Sequence, residues 1–143
     1  MVPFPQRGTI QFMNAPTMRM LRMELNHSRR EMGALLGVSK KTMQSYEQGW
    51  RHVPPHVEQM LILQWIVHRW KDLRKIPTCY KLTKCPPDIR ARCPVSHIRP
   101  GGFCWLIAGT TCHDRKMAGW REKREQCLAC NVFKALIEPN PRT

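Results

Sequence analysis

"SRREMGALLGVSKKTMQSYEQG", residues 28–49, decides how the first half of this chain folds. Ser28 followed three residues later by Glu31 is a capping box, in which each residue satisfies a free backbone N–H at a helix start. The spacing predicts a short helix from Arg29 to about Leu36, with Met32 and Leu35 inward. Gly37 can take the left-handed conformation that closes it. Ser39 then caps another helix, from Lys40 to about Gln48, and Gly49 closes that one. The result is two short helices joined by the tight turn "LLGVS". Lys40, Lys41, Gln44 and Ser45 form the outer face of the second helix, and Met43 and Tyr46 its apolar back. A helix that enters a DNA major groove needs this division of faces.

Working outward, Met18, Leu21 and Leu25 recur at helical intervals from Thr17, and Asn26-His27 breaks the run. Pro54-Pro55 opens a fourth helix, with Val57, Leu61, Trp65 and Ile66 as its apolar stripe running toward Leu73. Residues 1–16 contain three prolines and read as an arm or a loosely packed strand. After Pro77 the chain turns to short segments rich in Pro, Gly and Cys, so a boundary is expected near 75–78. The expected organisation is therefore an arm (1–16), a helical domain (17–76) and a cysteine-rich domain (77–143). The fold class is mainly α: a small helical bundle followed by a loop-rich module organised by metal.

The run from Leu25 to Pro54 resembles the helix-turn-helix of phage-repressor-like (Xre-type) bacterial regulators. The matching marks are the serine-capped helix with Glu31, the "LLGVS" turn, the "YEQG" close and the helix-starting proline beyond it. The resemblance covers about residues 17–70. Gln48 stands where that family often has asparagine. The resemblance implies double-stranded DNA as partner and places Lys40, Lys41, Gln44 and Ser45 at base edges. It places Arg29 on phosphate at the start of the preceding helix, and Arg51 on phosphate as well. Glu47 reads as structural, because a carboxylate would repel phosphate. Regulators of this kind often act as dimers on two half-sites, so the resemblance admits a homodimer, to which no residue points directly.

Composition agrees with a polyanionic partner. The net charge is +14, with 12 Lys/Arg against 5 Asp/Glu on either side of Ile76. With 42% hydrophobic residues the chain can build a core. The apolar run "MLILQWIV" (60–67) falls short of the roughly 18 residues that span a bilayer. The opening residues lack the basic-then-apolar order of a secretion signal, so a cytoplasmic protein without a membrane partner is expected. No paired carboxylates, phosphate loop or nucleophile triad is evident, and an enzyme is not expected.

All seven cysteines lie in the second half: Cys79, Cys85, Cys93, Cys104, Cys112, Cys127 and Cys130. An odd number cannot pair completely, and structural disulfides are uncommon in the reducing compartment of a DNA-binding protein. Thiolates in a short segment with few aliphatic residues point instead to a bound soft metal that takes the place of a large core. Residues 77–135 resemble the two-CW domain, a cysteine-rich module of prokaryotic proteins. Cys104-Trp105 with Gly109-Thr110 and Cys112 matches its second Cys-Trp element, Cys93-Pro94 and Cys127-Leu-Ala-Cys130 fit its pattern, and Cys79-Tyr80 stands for its first Cys-Trp. The resemblance implies a shared fold and a metal role without a named reaction. Zinc sites usually bring two close Cys-x-x-Cys pairs and this chain has one, so an iron–sulfur cluster, [4Fe–4S] in type, is favoured over zinc. The ligand candidates are Cys93, Cys104, Cys112, Cys127 and Cys130. Cys79 and Cys85 are further ligands, a redox pair or buried thiols. His97 and His113 read as polar surface, Trp105 and Trp120 as core, and "WREKREQ" as the polar face of a final helix that presents Cys127 and Cys130. A thiol oxidoreductase is disfavoured, since no βαβ pattern surrounds the Cys-x-x-Cys pair. The expected function is a transcription regulator whose cysteine module senses redox state or metal. The competing readings are a constitutive DNA binder with structural zinc, and a protein-docking adaptor.

Overall fold

A computed structural model describes residues 14–70, 72–76, 78–97, 103–107, 110–112, 115–116 and 119–137. The chain is mainly helical and divides into two compact units, Met1–His68 and Arg69–Thr143. The expected arm falls mostly on residues 1–13, outside the described residues.

In the first unit, α1 (Ala15–Glu24) begins two residues before the expected Thr17, because Asn14 caps it: the Asn14 side chain accepts from the Thr17 N–H at 3.0 Å. Helices α2 (Arg29–Leu36) and α3 (Lys40–Gln48) have the bounds their caps predict. The Ser28–Glu31 capping box is closed in both directions, at 3.1 and 3.2 Å. Gly37 and Gly49 take φ of 73° and 77°, the left-handed closures. Gly33 is required for another reason. A Cβ there would lie 2.6 Å from the Val38 carbonyl oxygen, so any side chain would push the backbone of the turn away from α2. Helix α4 (Pro55–Arg69) is the unit's central element, with Val57, Leu61, Ile62, Trp65 and Ile66 all fully buried. Met18, Leu21, Met32, Leu36, Met43 and Tyr46 complete the core. One expectation fails here. Leu35 is 47% exposed, and Leu36 takes the inward place beside Met32. In a helix of only two turns, residues three and four positions along are both candidates for the same face, and packing chooses between them.

The second unit begins at Arg69, ahead of the boundary expected near 75–78. The Trp70 indole N–H donates to the Leu136 carbonyl at 2.9 Å, which ties the start of the unit to its end. Short helices α5 (Cys79–Thr83) and α6 (Pro87–Arg92) precede the 3-10 turn Cys104–Leu106. A two-residue antiparallel pair follows, β1 (Thr111–Cys112) with β2 (Arg115–Lys116). Helices α7 (Trp120–Ala129) and α8 (Asn131–Ile137) close the unit. The expectation that this unit has too few apolar residues for a core needs correction. Trp105, Trp120 and Phe133 form a mutually packed trio with ring centroids 5.7 to 6.0 Å apart. Leu128, Val132, Leu136 and Ile137 are buried as well. The apolar run of α8 supplies much of this core, and it packs with Trp105 and Trp120 from earlier segments. Helix α7 is also not final, since α8 follows directly on Cys130.

Candidate nucleic-acid interface and thiol-bearing unit

Helix α3 holds its two faces by different means. Its N-terminus is capped by Ser39, whose hydroxyl oxygen accepts from the Thr42 N–H at 3.0 Å. Behind it, Met43 and Tyr46 enter the core, and Glu47 is buried with them. The Glu47 carboxylate binds two guanidinium groups from other helices. Its Oε1 accepts from Arg22 Nε on α1 at 2.9 Å, and its Oε2 from Arg29 Nε on α2 at 2.8 Å. Arg22 also donates through Nη1 to the His27 carbonyl at 2.9 Å, where α1 has ended. One acid thus fastens α3 to both earlier helices. The sequence placed Glu47 in a structural role, but its partners were not legible.

The outward face carries Lys40 and Lys41, both exposed, with Gln44 and Ser45 half-buried beside them. The Ser45 hydroxyl donates to the Lys41 carbonyl at 3.1 Å, one turn back. Arg51 is exposed just beyond the helix, its N–H on the Ser45 carbonyl at 3.3 Å. Arg29, expected on phosphate, is half-buried with Nε committed to Glu47. Nearby, the Ser28 side chain and backbone, followed by His27, hold the Glu31 carboxyl below the usual carboxylate range through hydrogen bonds.

Six of the seven cysteines, Cys79, Cys85, Cys93, Cys104, Cys127 and Cys130, have described side chains in the second unit. Cys93 and Cys127 are buried and the other four half-buried. Cys79 opens α5, Cys104 opens its 3-10 turn, Cys127 lies in α7, and Cys130 joins α7 to α8 with its N–H on the Cys127 carbonyl at 2.9 Å. Helix α5 packs on α8, and α7 packs on α8 and on the Cys104–Leu106 turn. Among the described residues, no three Cys, His, Asp or Glu side chains converge to metal-ligand distance. The side chains of Cys112 and His97, and all of His113, lie outside the described residues.

The sequence reading missed Lys123. It lies in the middle of "WREKREQ", which reads as a polar face, yet it is 1% exposed. Its ammonium donates to the Cys104 carbonyl at 2.5 Å, to the Ile107 carbonyl, and to the Thr110 hydroxyl at 3.3 Å. The staple holds Cys104, which precedes Trp105, together with Ile107 and Thr110 against α7. No signal in the sequence marks one cation in a charged run as the buried one. No known family model, curated protein or solved structure matches the chain.

Proposed function

We propose that the chain is a DNA-binding transcription regulator rather than an enzyme, with duplex DNA met by α3. The observation that carries this reading is the two-sided character of α3. Lys40 and Lys41 stand exposed beside Gln44 and Ser45, while Met43, Tyr46 and the doubly paired Glu47 fix the opposite face. Lysines can donate to guanine O6 and N7, and glutamine can bridge adenine N6 and N7. Arg51 adds a phosphate contact, as does the part of Arg29 not engaged by Glu47. Titration of a random-sequence duplex tests the proposal: affinity should fall linearly with salt on logarithmic axes as counterions are released. Replacing Lys40 and Lys41 together by alanine should weaken binding by about ten-fold or more with little change in thermal stability, because both side chains are exposed. Absence of affinity at low salt, or affinity indifferent to salt, refutes the reading.

The proposal extends to a soft metal centre in the second unit, a [4Fe–4S] cluster or zinc, whose state sets DNA affinity. Its support is the donor chemistry. Six described cysteines bring soft sulfur donors, and Cys104, Cys127 and Cys130 lie in or directly beside α7 and the turn that packs on it. Cys93, Cys104, Cys112, Cys127 and Cys130 are the proposed ligands, with Cys79 and Cys85 in reserve. Such a cluster supplies reversible electron transfer, and zinc a fixed charge. Purification under anaerobic conditions should yield a brown protein absorbing near 400 nm for the cluster, or a colourless one with stoichiometric zinc. A protein with neither metal refutes this part while leaving the DNA reading intact. A cytoplasmic location and a homodimer on two half-sites belong to the same proposal. No described helix is long and apolar enough to cross a membrane.

A further inference from the structure

Of the five tryptophans, Trp65, Trp70, Trp105 and Trp120 are 6% exposed or less, whereas Trp50 is 70% exposed. Large aromatic side chains are rarely left so open to water. Trp50 does not sit on a loose loop. Its N–H donates to the Ser45 carbonyl at 2.9 Å and the Gly49 N–H to the Tyr46 carbonyl at 3.3 Å, the paired bonds that close a helix through a left-handed glycine. The Arg51 N–H reaches the same Ser45 carbonyl at 3.3 Å. Helix α2 ends in the same way, with the Val38 N–H on the Gly33 carbonyl at 2.8 Å. The residue after the glycine in such a closure is commonly apolar and folds against the last turn. Val38 in that place is half-buried, whereas Trp50 is turned out to solvent.

The exposed charged residues near Trp50 in the chain are cationic. Arg51 follows it and is exposed, as are Lys40 and Lys41 at the start of the helix before it. The one acid between Ser39 and His56, Glu47, is buried and paired. A cationic surface with one large flat apolar group complements a polyanion that also offers apolar faces. Duplex DNA does so through its deoxyriboses and base edges. An apolar protein partner would match the indole and not the cations, and a simple anion the reverse.

We infer that Trp50 is a DNA-contacting residue, its indole packed on deoxyribose and base edge beside the phosphate met by Arg51. This rests on the reading of α3 as the DNA-facing helix. The contact adds affinity largely independent of salt, because burying an indole releases no counterions.

The test uses the full chain, a short random-sequence duplex, and the variants Trp50→Ala and Trp50→Phe. With the other four tryptophans buried, emission quenched by acrylamide reports Trp50. Duplex should protect that emission in the wild-type protein. Trp50→Ala should bind about ten-fold more weakly with an unchanged salt slope, and Trp50→Phe should keep most of the affinity. Equal affinity of Trp50→Ala and wild type, with quenching indifferent to DNA, overturns the inference. So does a Trp50→Ala protein that binds DNA normally but sediments as a smaller species, which would assign the indole to a second copy of the chain. If the wild-type protein itself binds no duplex at low salt, the α3 reading fails first. That result is distinct from a wild-type protein that binds without using Trp50.

Discussion

Lys123→Met is expected to destabilise the second unit by about 2–3 kcal/mol, because a buried acceptor that loses its donor costs about 1–3 kcal/mol, and less where it is part-buried, as the Cys104 and Ile107 carbonyls are. Methionine keeps the length of the lysine stem and removes the ammonium. Three oxygens then lose their donor: the carbonyls of Cys104 and Ile107 and the Thr110 hydroxyl. Relief of the ammonium's own desolvation offsets part of the sum. The remainder is a large fraction of the 5–15 kcal/mol that holds an ordinary domain together. The loss should appear in urea unfolding followed by near-ultraviolet circular dichroism, which reports the packed Trp105, Trp120 and Phe133 rings. Lys123→Arg keeps the charge but brings a broad planar fork into a site shaped for a point donor, and should fall between the two. A Lys123→Met protein whose unfolding midpoint matches wild type would show that Cys104, Ile107 and Thr110 are held by something other than this staple.

Glu47→Ala is the corresponding test of the first unit. The carboxylate is 1% exposed, and its two partners are 14% and 31% exposed at Arg22 and Arg29. Removing one member of a fully buried charge network costs about 3–5 kcal/mol. The solvent available to Arg29 reduces this, so about 2–3 kcal/mol is expected. Glu47→Gln retains the shape and some hydrogen bonding and should lose less. A double-mutant cycle with Arg22→Ala isolates the pair: the two changes together should cost clearly less than their sum. If both single variants melt with the wild type, Glu47 does not fasten α3 to α1 and α2. Because α3 is the proposed DNA-facing helix, Glu47→Ala should also weaken duplex binding at temperatures where the variant remains folded.

Much of the first unit was legible from local rules. The Ser28–Glu31 box, Ser39 and the glycines at 37 and 49 fix helix ends within a few residues of themselves, so the bounds of α2 and α3 and the burial of Met43 and Tyr46 follow without knowledge of the fold. What lies between those markers was less secure. The choice of Leu36 over Leu35 depends on which way the helix rolls against its neighbours. Asn14 as the cap of α1 was hidden among prolines and read as arm. The second unit was legible mainly as a list of thiols and two core tryptophans, because its helices are short and no local pattern shows which apolar segments meet.

The sequence alone determined the helix starts and stops of the turn motif, the cationic face of α3 and the confinement of every thiol to the second half, because caps, glycine conformations and composition act over a few residues. Only the tertiary structure decided that Glu47 joins three helices, that Lys123 is the one cation of its run to be buried, and that the second unit has an aromatic core. Each of these depends on groups far apart in the chain, such as Arg22 with Glu47 or Cys104 with Lys123, and no short-range pattern records which distant oxygen a charge will meet.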